Sequence, residues 1–233
     1  PAQIDEVAWV CEQGRQGLAA GFEDRGLGQK IDQVAREDGA GAFLLYPGQE
    51  PFALGGTGQA AVRELTEQSA GYLAGDEPAP SVYPHPIAFN VLPHIDVFDE
   101  TGYTGEERKV AAETRKMLGL PGLAVSATCV RVPVMQSHSQ AVHIETTETM
   151  DPNAVRRLLM AAPGVVLVDE PELDLYPLPR VATGRDEVLV GRIRTDSSHP
   201  RGLALWVVSD NLRKGAATNA VQIAESLVTR GWL

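Results

Sequence analysis

The stretch Ser126 to Glu145, which reads SATCVRVPVMQSHSQAVHIE, constrains this chain more than any other. Two segments of β character, Ala124 to Val134 and His138 to Glu145, run nearly end to end, with a short irregular link carrying Pro133 between them. Arg131 sits in the first segment and His138 opens the second. A guanidinium can hold a carboxylate or phosphate with two parallel hydrogen bonds. An imidazole beside it can move protons near neutral pH. The pair suggests a site for an anionic substrate undergoing acid/base chemistry. From spacing alone the plainer alternatives prevail: an ion-paired strand arginine, and a histidine that only donates a hydrogen bond from a loop.

The remaining pattern predicts a sheet with helices. Helices are expected over residues 57–74, 104–118, 151–161 and 211–229, and strands near Val165 to Val168, Glu187 to Arg194 and Gly202 to Ser209. Asp196 to Arg201 has hairpin length. Thr57, Thr104 and Asp151 read as N-caps, with Pro152 taking the first helical position. Asp210-Asn211 caps the last helix, whose apolar face is Leu212, Ala216, Ala220, Ile223 and Leu227. Leu173 to Gly184 reads as a loop, and His85 and His94, flanked by prolines, read as structural. The fold class that follows is α+β, with a mixed, largely antiparallel sheet covered by helices on one face.

Charge narrows the partners. The net charge of −11 argues against a nucleic-acid binder, because phosphate contacts need clustered Lys and Arg. No run of about 18 apolar residues suggests a membrane span. Pro1 to Glu6 lacks the basic and apolar regions of a secretory signal. Cys11 and Cys129 make neither a disulfide framework nor a zinc site, so no metal is expected. A reducing, cytoplasmic setting is the simplest expectation. Cys129 lies two residues before Arg131 on one strand face, and packing is its default role.

Residues 1–52 read differently from the rest. Ile31 to Glu37 predicts a short helix and Ala42 to Tyr46 a short strand. Glycines at 14, 17, 21, 26 and 28 weaken any longer helix by roughly 1 kcal/mol each. Gly26-Leu-Gly28 lacks a third glycine at the fitting place for dinucleotide binding. Few long apolar patterns occur, so this segment is expected to pack poorly, with no recognised domain.

From residue 53 onward the chain resembles the aspartate-β-semialdehyde dehydrogenase family. The motif S-A-T-C-V-R-V-P-V-x-x-x-H-S-x-A-V carries the resemblance, together with Gly56-Thr-Gly-Gln, Pro84 to Asp96, Gly102 to Lys109, Glu113-Thr-Arg-Lys, Ala162 to Val166, Val190 to Arg194 and Trp206 to Ala217. The resemblance implies a dimerisation and catalytic domain over 53–233, similar to the C-terminal domain of semialdehyde and glyceraldehyde-3-phosphate dehydrogenases. It implies NADPH-dependent reductive dephosphorylation of L-aspartyl 4-phosphate, a step of aspartate-family amino-acid biosynthesis. By resemblance His138 is the acid/base, Arg131 clamps the substrate carboxylate, Glu106 receives its amino group and Lys109 contacts phosphate. Gly55, Gly56 and Asn211 approach the NADP cofactor, and a homodimer forms through the sheet. On spacing alone Glu106 and Lys109 are an ordinary surface pair, and Glu107 reads as a solvated charge.

The family's chemistry also needs a cysteine thiolate that attacks the acyl phosphate, and a glutamine that orients the acyl group. An ungapped extension of the resemblance puts these positions near Arg25 and at Phe52. Cys11 stands in Trp-Val-Cys-Glu-Gln-Gly, which does not resemble the nucleophile motif. Three readings stay open: a family enzyme whose N-terminal part is missing or replaced, a non-catalytic relative that keeps the dimerisation scaffold, or a related acyl-phosphate reductase.

Overall fold

The computed structural model describes residues 48–232. The expectations placed on Cys11, Arg25, Gly26, Gly28, the helix at Ile31 and the strand at Ala42 lie outside the described residues.

The main sheet has four strands in the order β3-β6-β5-β4. They are β3 (His138–Glu145), β4 (Val165–Leu167), β5 (Val188–Thr195) and β6 (Gly202–Ser209). β6 runs antiparallel to β3 and to β5, while β4 is parallel to β5. The sheet is thus mixed and largely antiparallel, within an α+β fold. β6, Gly-Leu-Ala-Leu-Trp-Val-Val-Ser, is apolar on both faces and takes a central place. One sheet face buries Val142, Ile144, Val188, Val190, Leu203, Leu205 and Val207 against Val155 and Leu159 of helix α3 (Pro152–Met160). Each such side chain stabilises the fold by about 1.5–3 kcal/mol. Asp151 caps α3 by accepting from the Asn153 amide at 3.1 Å. The other face is met by the four-residue α4 (Pro179–Ala182), where Ala182 packs on Leu189 and Val208. That turn of helix lies within what the sequence reads as a loop.

A separate two-stranded sheet pairs β1 (Gly48–Phe52) in parallel with β2 (Ala127–Arg131). The β segment expected over 124–134 is therefore shorter. Its far end is taken up by a bend in which the Val134 amide bonds the Val132 carbonyl at 2.7 Å and Ser137 adopts φ 76°. Arg131 exchanges both backbone hydrogen bonds with Leu92, at 2.8 and 3.0 Å, so its main chain is fixed from the opposite side.

Helix α1 (Gln59–Ala74) follows a 3-10 turn at Leu54–Thr57. Gly58, with φ 99°, stands at the N-cap without a side-chain cap, so Thr57 does not cap as expected. Helix α2 (Gly105–Leu118) begins with a full capping box between Thr104 and Glu107 and ends at Gly119 in the left-handed region. The last helical segment departs most from expectation. A π-turn over Arg213–Ala217 precedes α5 (Thr218–Thr229), and the expected apolar face is not packed: Leu212 and Ile223 are 45% and 41% exposed. Asp210 caps this segment, accepting from the Leu212 and Arg213 amides at 2.8 and 3.1 Å.

Candidate active site

His138 opens β3 at the point where three segments meet. Its Nδ1 accepts a 3.0 Å hydrogen bond from the Ala53 amide. That bond occupies the Nδ1 lone pair and places the neutral ring's proton on Nε2. Nε2 faces the 3-10 turn that holds Gly55 and Gly56: a Cβ at Gly56 would stand 3.9 Å from Nε2 and 3.5 Å from Asn211 Nδ2. Asn211 accepts from the Ser137 amide at 2.9 Å through Oδ1, which locks its side chain beside His138. Capping, the plain explanation of Asn211 in the sequence, is done by Asp210 instead. Asp210 is fully buried and also accepts from Gln136 Nε2 and the Gly184 amide, both at 2.7 Å.

The half-buried imidazole is held down to about 4 from 6.5, first by burial and then by the positive charges of Arg131 and Lys109, against the opposing pull of Asp210. Arg131 and Lys109 thus act on His138 through space, after burial. Lys109 Nζ stands 3.2 Å from Glu106 Oε1 at the start of α2. Burial works against the Lys109 charge, but the Glu106 hydrogen bond and the Glu106 and Glu113 carboxylates outweigh it and raise Lys109 above its ordinary value. Glu106 joins the group through Lys109. The imidazole thus lies in the field of two cations, and one of them, Lys109, is paired with the Glu106 carboxylate.

Two contacts next to these residues escape the motif reading. Glu107 is 8% exposed, not a solvated charge. Its carboxylate accepts from the Thr104 amide at 2.8 Å and the Cys129 amide at 2.9 Å, tying the first turn of α2 to β2. The Thr-x-x-Glu spacing was the available signal. The other is Tyr83, whose ring lies under the Arg131 guanidinium at 5.7 Å; no motif marks it. Cys129 is fully buried and packs with Ile95 and Ala127, a core position as expected. Phe52 stands opposite Arg131 in the parallel register. Among the described residues no group of three metal-ligating side chains converges, and no helix is long and apolar enough to cross a membrane.

The fold is an α+β domain in which a mixed sheet carries His138 at one strand end. More narrowly, the chain belongs to the semialdehyde dehydrogenase family, whose dimerisation-domain model matches residues 52–214. It is 52% identical over 180 residues to an aspartate-semialdehyde dehydrogenase of Aquifex aeolicus, covering 77% of this chain and 53% of that protein. The solved aspartate semialdehyde dehydrogenase II of Vibrio cholerae, complexed with ASA, superposes with a TM-score of 0.75 at 44% identity, over 78% of this chain and 54% of that one. The Candida albicans enzyme solved with NADP shares the fold, with a TM-score of 0.58 at 23% identity over 89% and 56% of the two chains. The chain spans about half the length of the curated relatives it matches.

Proposed function

We propose that this chain supplies the substrate-holding and acid/base half of an aspartate-semialdehyde dehydrogenase, which reduces L-aspartyl 4-phosphate to its semialdehyde with release of phosphate. The observation that carries the reading is that His138 and Asn211 both border Gly56, while the charges of Arg131 and Lys109 act on His138. Each ionic part of the substrate then has a counterpart. Arg131 clamps the carboxylate, Glu106 receives the ammonium and Lys109 meets the phosphate. His138 holds a proton at Nε2, on the side facing the Gly56 turn, and passes it to or from the reacting centre. Its depressed basicity keeps the ring neutral at physiological pH, so Nε2 holds its proton with no charge on the imidazole itself.

The residues present fit NADP. A Cβ at Gly56 would come into contact with Asn211 Nδ2 at 3.5 Å and His138 Nε2 at 3.9 Å, and glycine there lets a cofactor ring come close to the backbone. Gly55, Gly56 and Asn211 would hold the nicotinamide end, which supplies the hydride. A homodimer through the main sheet, in a cytoplasmic setting, completes the reading.

Phe52, where the resemblance calls for glutamine, supports a second reading in which this chain alone binds substrate anions without turning them over. One titration addresses both. The labelled chain, given L-aspartate and then inorganic phosphate, should show shifts at His138, Arg131 and Lys109. Arg131→Ala should weaken L-aspartate binding at least tenfold, the loss expected for hydrogen bonds to a charged group. An NADP-dependent assay with aspartate semialdehyde and phosphate should show no turnover by this chain alone. Unchanged binding in Arg131→Ala would refute the assignment, and robust turnover would refute the second reading.

A further inference from the structure

We propose that Tyr83 is a positioning residue for Arg131, its ring face setting the guanidinium in the orientation that receives the substrate carboxylate. The inference rests on the reading of Arg131 above and goes beyond it in naming what aims the clamp. The main chain of Arg131 is fixed by its two hydrogen bonds to Leu92, and the ring contact acts on the guanidinium at the far end of the side chain. The Tyr83 ring lies within cation–π range at 5.7 Å. Tyr83 and Arg131 line one open pocket together with His94, Ile95, Asp96 and Phe98, so the ring meets the guanidinium on an open face of the chain.

The segment carrying Tyr83 is tacked down on both sides by buried polar groups of α1. Glu64, 4% exposed, accepts from Ser81 Oγ at 2.8 Å and from the Val82 amide. Gln68, 2% exposed, accepts from the Ile87 and Ala88 amides at 2.8 and 3.2 Å, and its Nε2 donates to Glu64 at 2.9 Å. Two buried polar side chains thus fix an irregular connector immediately before Tyr83 and a few residues after it. The Tyr83 hydroxyl, shut from solvent, has no hydrogen-bond partner among the described residues. An unpaired buried hydroxyl is destabilising, so the feature this site uses is the ring and not the phenol oxygen.

The test uses the full 233-residue chain with L-aspartate as probe. In the wild-type chain the Arg131 side-chain protons should carry an upfield ring-current shift. Tyr83→Phe should keep that shift, bind L-aspartate within about twofold of wild type and unfold no earlier. Tyr83→Leu and Tyr83→Met should lose the shift and bind about three- to thirtyfold more weakly, the range of a cation–π contact. The Met variant serves if the Leu variant does not fold. The proposal is overturned if wild-type Arg131 shows no ring-current shift, if the Leu or Met variant binds as wild type does, or if the Phe variant loses as much as they do. Wild-type binding with an indifferent Tyr83 would leave the substrate reading standing. No L-aspartate binding by the wild-type chain would overturn both.

Discussion

Glu106 and Glu107 stand side by side in sequence and meet different surroundings. Glu106 pairs with an exposed lysine, and such pairs are worth about 0–1 kcal/mol. Glu107 accepts two buried backbone N–H groups that nothing else would satisfy. Glu107→Ala should therefore destabilise the chain by about 2–4 kcal/mol, and Glu106→Ala by less than about 0.5 kcal/mol, in urea unfolding. L-aspartate affinity should respond in the opposite order where the Glu107 variant still folds. His138 makes the second prediction at this scale. Its folded value, about 4, lies below its unfolded value of 6.5. The unfolded chain thus takes up a proton first as pH falls. The stability this group contributes is fully present above about pH 6.5 and is lost as pH falls through about 4. The His138 Cε1–H resonance should titrate near 4, and His138→Asn should flatten stability between those two pH values. A midpoint near 6.5 would contradict the burial and charge argument.

Elements here are bent by contacts that no single element contains. β5 breaks register against β6 between Gly191 and Arg194, and Arg192 turns into the left-handed region at φ 56°. Gly191 sits at that break because the Val168 carbonyl lies where a Cβ would stand, with Pro177 Cδ 2.7 Å away. Gly191→Ala must push the β4 exit outward, and should cost about 1–3 kcal/mol or more. A melting temperature within about a degree of wild type would show that the exit yields freely. At the other end, Asp210 takes the cap ahead of the π-turn, and Asn211 is left to accept from the Ser137 amide, beside Gly56. π-turns are frequent at functional sites.

For the molecule as a whole, the match to a dimerisation domain and the uncovered apolar side chains point to association. Sedimentation at micromolar concentration should give twice the 25.0 kDa chain mass. A single 25.0 kDa species would count against the homodimer. The uncovered Leu212 and Ile223 of the last helical segment belong to the same scale, since a helix periodic in apolar residues is built to be covered.

The sequence by itself determined what is local. Alternation marked β3, a continuous apolar run marked β6, and Thr104 and Asp151 started their helices. These depend on propensity, capping and alternation, which act over a few residues. The tertiary structure alone decided which neighbour each local choice would meet. It paired β2 with β1 and not with β3, gave Asp210 the cap and freed Asn211 for Ser137, buried Glu107 while leaving Glu106 on an exposed lysine, and laid Tyr83 under Arg131. The physical reason is that these partners are distant in the chain. Their meeting is set by packing and by the need of buried polar groups for partners, and neither has a period that can be read along the sequence.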